Sequence, residues 1–325
     1  FSSIGDIVLT TPVVRSLVQG LPGTQVHFAT KAGFEPLLRH NPHIHRIHTL
    51  QPGGDAALIA ELAQKEFDWI LDLHHNIRTL RIKLALGRVP SSTFPKLNVQ
   101  KYLLTRFKIN RMPNVHIVER YAQALRPLGV GLDTGGLEMH PGSEAEAEAR
   151  AAFTAAALPG PAYAAVLGAN YATKQYPPDL MARLLNVLGQ PVVLLGGPAE
   201  RPYAEYLATH LTVPFHDAVA RHGLLASAAL MRHCRAVITG DTGFMHIAAS
   251  FGQPVHSIWG NTVPSLGMYP YRTPHSIFEI NDLSCRPCSK LGYKNCPKGH
   301  FRCMRDQVPE VLAERIGSSG MTWEF

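Results

Sequence analysis

The chain has 325 residues, 46% of them hydrophobic, with 31 Lys/Arg against 24 Asp/Glu, a net charge of +7 and 17 histidines besides. That length exceeds one hydrophobic core and accommodates two domains, and no run approaches the ~18 apolar residues of a membrane-spanning helix. The positive balance suits anionic ligands or an anionic membrane surface, whereas no long Lys/Arg cluster interleaved with aromatics marks a nucleic-acid binder.

The opening Phe1-Ser2-Ser3-Ile4-Gly5-Asp6 reads as a loop after a strand, so an apolar first strand is expected ahead of Phe1. Ile7 to Leu17 has helical spacing, with Pro12 in an early turn and Ser3 or Asp6 as cap. Val26 to Ala29 predicts a strand, Phe34 to Arg39 a short helix, His45 to Leu50 a strand and Ala56 to Lys65 a helix. Trp69 to Leu73 predicts a strand ending in His74-His75-Asn76, followed by a basic helix with Arg78, Arg81 and Lys83. Ser91 to Phe94 predicts a strand and Val115 to Leu128 a helix. Glycine-rich residues 129–142 mark a boundary, giving domains 1–142 and 143–325.

The second half opens on a Glu/Ala helix, Ser143 to Ala157. Strands are expected at Tyr163 to Leu167, Val192 to Leu195, Ala236 to Gly240, from Val255, and at Ser276 to Ile280. Helices are expected from Asp179, after Glu200, at Leu224 to Cys234, at 244–251 and at Asp306 to Ile316. Alternation of this kind makes an α/β protein with two doubly wound parallel sheets, whose ligands bind in a cleft at the strand C-termini. The chain contains no Gly-x-Gly-x-x-Gly, no Walker-type phosphate loop and no Gly-x-Ser-x-Gly, which removes the main support for a dinucleotide dehydrogenase, a P-loop NTPase or an α/β-hydrolase.

Two segments carry chemistry. In the first, the strand Ala236-Val237-Ile238-Thr239-Gly240 runs into Asp241-Thr242-Gly243 and then a helix, so a helix mouth with free N–H groups follows a buried strand. Such a mouth suits a phosphate; a well-capped crossover helix is the alternative. In the second, Cys285-x-x-Cys288, Cys296 and Cys303, with His300 nearby, contain enough ligands for a tetrahedral zinc, and reduced thiols packing an irregular segment are the alternative. No metal ligand is assigned.

The run Asp241-Thr242-Gly243-Phe244-Met245-His246-Ile247-Ala248-Ala249-Ser250-Phe251-Gly252-Gln253-Pro254, closing in Trp259-Gly260-Asn261-Thr262-x-Pro264, resembles the donor-site signature of the family 9 glycosyltransferases, the lipopolysaccharide heptosyltransferase family. Ser2-Ser3-Ile4-Gly5-Asp6 with Pro12, His40-Asn41-Pro42, Asp68 to His74, the Lys174 loop and Leu195-Gly196-Gly197-Pro198-Ala199-Glu200 resemble further landmarks of that family in the same order. The resemblance implies a GT-B fold, two Rossmann-like domains facing across a cleft, the first binding the acceptor and the second the nucleotide-sugar. It implies an inverting, metal-independent transfer that needs no cofactor beyond the nucleotide-sugar co-substrate, with ADP-heptose as donor. The implied partners are a lipopolysaccharide core or related glycolipid acceptor and peripheral contact with the inner membrane at its cytoplasmic face, with no nucleic acid.

Transfer from a sugar diphosphate to an alcohol needs a base near the acceptor hydroxyl and stabilisation of the departing diphosphate. By resemblance Asp6 is the base, while its residue type alone reads as a helix cap. By resemblance Lys174, with Thr173 beside it, contacts the donor phosphates, Thr242 and Gly243 hold them from the other side, Glu200 accepts from a ribose hydroxyl, and Asp241 and His246 face the donor. His74, Asn76 and Arg78 lie where an acceptor approaches. A nucleotide-sugar epimerase of the same architecture and a non-catalytic two-domain sugar-binding protein are the rival readings.

Overall fold

A computed structural model of the chain describes residues 1, 3–52 and 54–318; Ser2 of the N-terminal motif lies outside them. The chain divides into two units, Phe1–Leu97 with Val115–His140, and Asn98–Asn114 with Pro141 onward. The division between His140 and Pro141 lies inside the glycine-rich stretch 129–142, and residues 98–114 pack with the second unit instead of the first. A linear reading misses this because a short insertion carries no boundary signal of its own.

The first unit holds two separate two-stranded parallel sheets. β1 (His27–Lys31) pairs with β2 (Arg46–Leu50), and β3 (Ile70–Asp72) pairs with β4 (Ser91–Thr93). A cavity of about 870 Å³ is lined by β1 and β3 together with Ile7, Val13, Val14 and Leu17. The helix expected over Ile7 to Leu17 is two helices, α1 (Ile4–Val8) and α2 (Thr11–Gly20). The break has a local cause. Pro12 has no N–H to give the Val8 carbonyl four residues back and its ring crowds that carbonyl, and the Thr10 and Thr11 hydroxyls donate to the carbonyls of Ile7 and Val8 at 2.7 and 2.8 Å. α3 (Ala56–Ala63) and α4 (Ile77–Ala85) follow. Leu58 and Leu62 of α3 form a small core with Leu50 and Ile82. In the second unit, α5 (Asn98–Tyr102) runs into one π turn, Leu103–Phe107. Back in the first, the helix expected to Leu128 is α6 (Ile117–Ala122) continued as a 3-10 turn through Pro127, whose ring cannot sit in an α-helix interior.

The main body of the second unit is a doubly wound Rossmann sheet. β5 (Tyr163–Val166), β6 (Val192–Leu195), β7 (Phe215–Asp217), β8 (Ala236–Gly240), β9 (Val255–Ile258) and β10 (His275–Phe278) are ordered β10-β9-β8-β5-β6-β7, every pair parallel. Numbered from β5, that is the order 3-2-1-4-5-6. β5, β6 and β9 are buried along their whole length, as strands covered on both faces must be. The cover comes from α7 (Ser143–Ala156), α8 (Pro178–Leu188), α9 (Arg201–His210), α10 (Leu224–Met231), α11 (Gly243–Ser250), α12 (Arg302–Arg305) and α13 (Pro309–Gly317). α8 packs on α13, and α7 on α10. β7 is not legible in the sequence: it is three residues long and half-buried, too short to show a period.

Candidate functional site

The strand order places the switch point of the second unit between β5 and β8, the pair from which the chain winds in opposite directions. The segments leaving the C-terminal ends of these strands are Leu167–Lys174 and Asp241–Gly243, and they meet. Lys174 Nζ lies 2.6 Å from Asp241 Oδ2, both side chains being largely buried at 16% and 10% exposure. The Thr262 hydroxyl donates to the same carboxylate oxygen at 2.7 Å. Two glycines allow this approach. A β-carbon on Gly240 would collide with the Lys174 carbonyl oxygen, and one on Gly260 with the Thr173 carbonyl oxygen. Both clashes are with backbone, so no side-chain rotation relieves them.

Thr242, not Asp241, caps α11: its hydroxyl accepts from the Met245 N–H at 3.4 Å, and Gly243 is the first residue of the helix. Asp241 is left for Lys174 and Thr262. His246 is fully inside, at 2% exposure, and its Nδ1 has no hydrogen-bond partner among the described residues. Burial pushes its pKa down to about 4, against the opposing pull of Asp241, so the ring is neutral near pH 7. Glu200 stands at the start of α9, where its carboxylate accepts from the Gly197 N–H at 2.9 Å.

Thr173 is 2% exposed and its hydroxyl is engaged twice, donating to the Tyr293 carbonyl at 3.1 Å and accepting from the Tyr293 N–H at 2.8 Å. It ties the Lys174 loop to the cysteine-bearing segment. Arg286 of that segment is buried and reaches the carbonyls of Gly260, Thr262 and Ile280 at 2.5, 2.8 and 2.8 Å and the Glu279 carboxylate at 2.6 Å. Sequence reasoning missed Thr262, Tyr293 and Arg286. Thr262 sits inside the Trp-Gly-Asn-Thr motif and could have been weighed; Arg286 is hidden by the cysteines on either side, and Tyr293 meets Thr173 through its backbone alone. The cysteines are unbridged, with Cys285 Sγ 3.8 Å from His300 Nε2. Burial pushes the Cys288 and Cys303 thiols up to about 11 and about 12, and among the described residues no three His, Cys, Asp or Glu side chains are gathered around one point as a metal group.

In the first unit, Asp6 is the third residue of α1 and half-buried on the wall of the cavity. Ser3 is the cap: its hydroxyl accepts from the Asp6 N–H at 3.2 Å and donates to Asp6 Oδ2 at 2.6 Å. Ser3 holds φ 65°, a left-handed conformation unusual for a residue with a side chain. The Asp6 carboxylate is therefore oriented by Ser3 and does not itself cap. Past β3, Asp72 is 4% exposed, accepts from the N–H groups of His74 and His75 at 3.1 and 2.7 Å, and pairs with Lys83 at 3.0 Å. Burial costs the Asp72 carboxylate, but those contacts outweigh it and leave its pKa below the usual range. Burial also brings His74 down to about 4. Asn76 caps α4 reciprocally with Thr79, at 3.0 and 2.9 Å, and Arg78 pairs with Asp55 at 2.8 Å. Of the three acceptor candidates, Asn76 and Arg78 already spend their side chains on intramolecular hydrogen bonds.

Comparisons with known proteins bear on the family and the fold. The model of glycosyltransferase family 9 (heptosyltransferase) matches residues 56–298. Lipopolysaccharide heptosyltransferase 1 of Pseudomonas aeruginosa is 26% identical over 316 residues, covering 89% of this chain and 84% of that protein. Among solved structures, a family 9 glycosyltransferase from Veillonella parvula superposes with a TM-score of 0.79 at 20% identity, covering 96% of this chain and 93% of that one. E. coli ADP-heptose LPS heptosyltransferase II superposes with a TM-score of 0.74 at 18% identity, covering 98% and 96%. The fold is thus GT-B, with Rossmann-like domains. With three quarters of its length matched by the family model, the chain is a glycosyltransferase and belongs to glycosyltransferase family 9, the heptosyltransferase family.

Proposed function

We propose that this enzyme transfers heptose from ADP-heptose, with inversion, to a hydroxyl of a lipopolysaccharide core or a related lipid-borne glycan at the cytoplasmic face of the inner membrane. The observation that carries the reading is the Lys174–Asp241 pair at the Rossmann switch point, beside the capped start of α11. A lysine there is the counter-charge for a diphosphate, and the first N–H groups of α11 supply donors from the other side. Asp241 holds the lysine in place until the donor arrives, and the phosphates then compete with its carboxylate. Glu200 is proposed to accept from a ribose hydroxyl. His246, neutral inside the protein, serves as an uncharged wall behind the donor rather than as a cation. Thr173 acts through the loop, by anchoring it to Tyr293.

In the transfer the acceptor oxygen bonds to the anomeric carbon as the bond to the diphosphate breaks from the opposite face. The hydroxyl proton passes to the Asp6 carboxylate, which Ser3 aims, and ADP departs with the bonding pair. A diphosphate leaves without being protonated, so one carboxylate suffices, unlike the pair used in glycoside hydrolysis. His74, Asn76 and Arg78 are proposed acceptor contacts; Asn76 and Arg78 would have to share or exchange their present partners.

Incubation with ADP-heptose and a heptose-deficient lipopolysaccharide tests the reading. Transfer, measured as a heptose gain on the acceptor by mass spectrometry, is the expected result. An isomerised donor with unmodified acceptor would assign an epimerase instead, and an unchanged donor a binding protein.

A further inference from the structure

Between Asp72 and Glu119 there is no acidic residue and there are nine basic ones: Arg78, Arg81, Lys83, Arg88, Lys96, Lys101, Arg106, Lys108 and Arg111. The whole chain carries +7, so everything outside this stretch is net acidic, at −2. Exposed apolar side chains gather in the same stretch. On α4, Ile77 and Leu84 are 72% and 71% exposed and Leu80 is exposed between them, at positions i, i+3 and i+7 of one helical face. Helices normally turn such a stripe inward. Here the inward face holds Thr79 and Ile82, and the apolar stripe is left to solvent beside Arg81 and Arg88. Residues 98–111 repeat the pattern independently. Val99, Tyr102, Phe107 and Ile109 are exposed, Val99 at 69%, among Lys101, Arg106, Lys108 and Arg111. The Tyr102 and Phe107 rings meet edge-on at 5.8 Å, and the Arg106 guanidinium lies 6.0 Å from the Phe107 ring centre.

We infer that each of these exposed faces, α4 in the first unit and residues 98–111 in the second, binds to anionic phospholipid bilayers. The chemistry is that of an interfacial helix: apolar side chains enter the acyl boundary, a tyrosine sits at headgroup level, and Lys/Arg pair with lipid phosphates. Nucleic acid fits less well: the aliphatic Ile77, Leu80 and Leu84 of α4 offer bases no ring to stack on, and in residues 98–111 the Tyr102 and Phe107 rings are accompanied by aliphatic Val99 and Ile109. No helix among the described residues is long and apolar enough to cross a membrane. The inference deepens the proposed lipid-borne acceptor by naming the surface that meets its membrane.

Flotation of the full chain with vesicles of 30% phosphatidylglycerol in phosphatidylethanolamine tests it, with neutral phosphatidylcholine vesicles and a single-stranded oligonucleotide as controls. Binding to the anionic vesicles that weakens with salt is expected. Arg106→Gln/Arg111→Gln should weaken it roughly 25-fold, at about fivefold for each charge lost near an anionic surface. Leu80→Ser/Leu84→Ser and Phe107→Ser/Ile109→Ser should weaken it by about tenfold or more, with melting temperature and transfer to a short water-soluble acceptor unchanged. Equal binding to neutral vesicles, tighter binding to the oligonucleotide, variants that float like wild type, or variants that only shift a monomer–dimer equilibrium would each overturn the inference. Because vesicle binding is read apart from transfer, an active enzyme that ignores vesicles sinks the docking surface alone, and an inactive one that floats sinks the transferase reading alone.

Discussion

Replacing Lys174 by alanine removes one partner of an ion pair that is 2.6 Å long and largely shielded from water. It leaves the Asp241 carboxylate with the Thr262 hydroxyl. Breaking a buried pair from one side costs ~3–5 kcal/mol, and the residual exposure of 16% and 10% places this one near the lower figure, about 3 kcal/mol. For a folding unit of this size that lowers the melting temperature by roughly 6–12 °C. If Lys174 also meets the diphosphate, ADP binding loses a charge-assisted hydrogen bond of ~1.5–3 kcal/mol, a roughly tenfold to hundredfold weaker Kd. Asp241→Asn separates the two effects. It too destabilises the fold, but it frees the lysine from its competitor, so affinity for ADP should rise or hold while the fold weakens. Isothermal titration with ADP and thermal melts on both variants provide the numbers. Wild-type ADP affinity in Lys174→Ala would refute the placement of the diphosphate, and equal losses of affinity in both variants would show that the pair matters for folding alone.

Three further outcomes are expected. Asp6→Asn should slow the chemical step by ~10²–10⁴-fold with ADP affinity nearly unchanged and, because Ser3 is the cap, with little loss of stability; wild-type turnover under chemistry-limited conditions would remove Asp6 as the base. Gly240→Ala should abolish ADP binding and lower the melting temperature, since its β-carbon meets the Lys174 backbone; normal binding would show that the loop can move aside. His246 and His256 are buried neutral and brought down to about 4 by burial, so the unfolded chain takes up protons below pH 6.5 that the folded one refuses. Their contribution is complete above pH 6.5 and is lost as pH falls towards 4. By pH 5 the loss is about 2 kcal/mol for each histidine. Urea unfolding at both pH values checks this, and an undiminished acid loss in His246→Gln would refute it for that residue.

Much of the second unit was legible locally. Val192–Leu195 is an unbroken apolar run because both sheet faces are covered, and Thr242 before an apolar helical repeat announces a helix start wherever it occurs. The Asp-Thr-Gly turn after β8 was readable for the same reason: its chemistry resides in neighbouring residues. What the linear order did not contain was pairing across it. Strand order decided that β5 and β8 are neighbours, and so brought Lys174 to Asp241 across sixty-seven positions and Thr262 to the same oxygen. Packing decided that Thr173 is spent on Tyr293, that Ser3 rather than Asp6 caps α1, and that Arg286 braces the Gly260 turn from within a cysteine-rich segment. It also turned the apolar face of α4 outward, which periodicity alone assigns to the core. Local propensity and capping act over a turn or two of chain and are written in adjacent residues, whereas burial, ion pairing and strand order depend on which surfaces meet, and only the folded chain determines that.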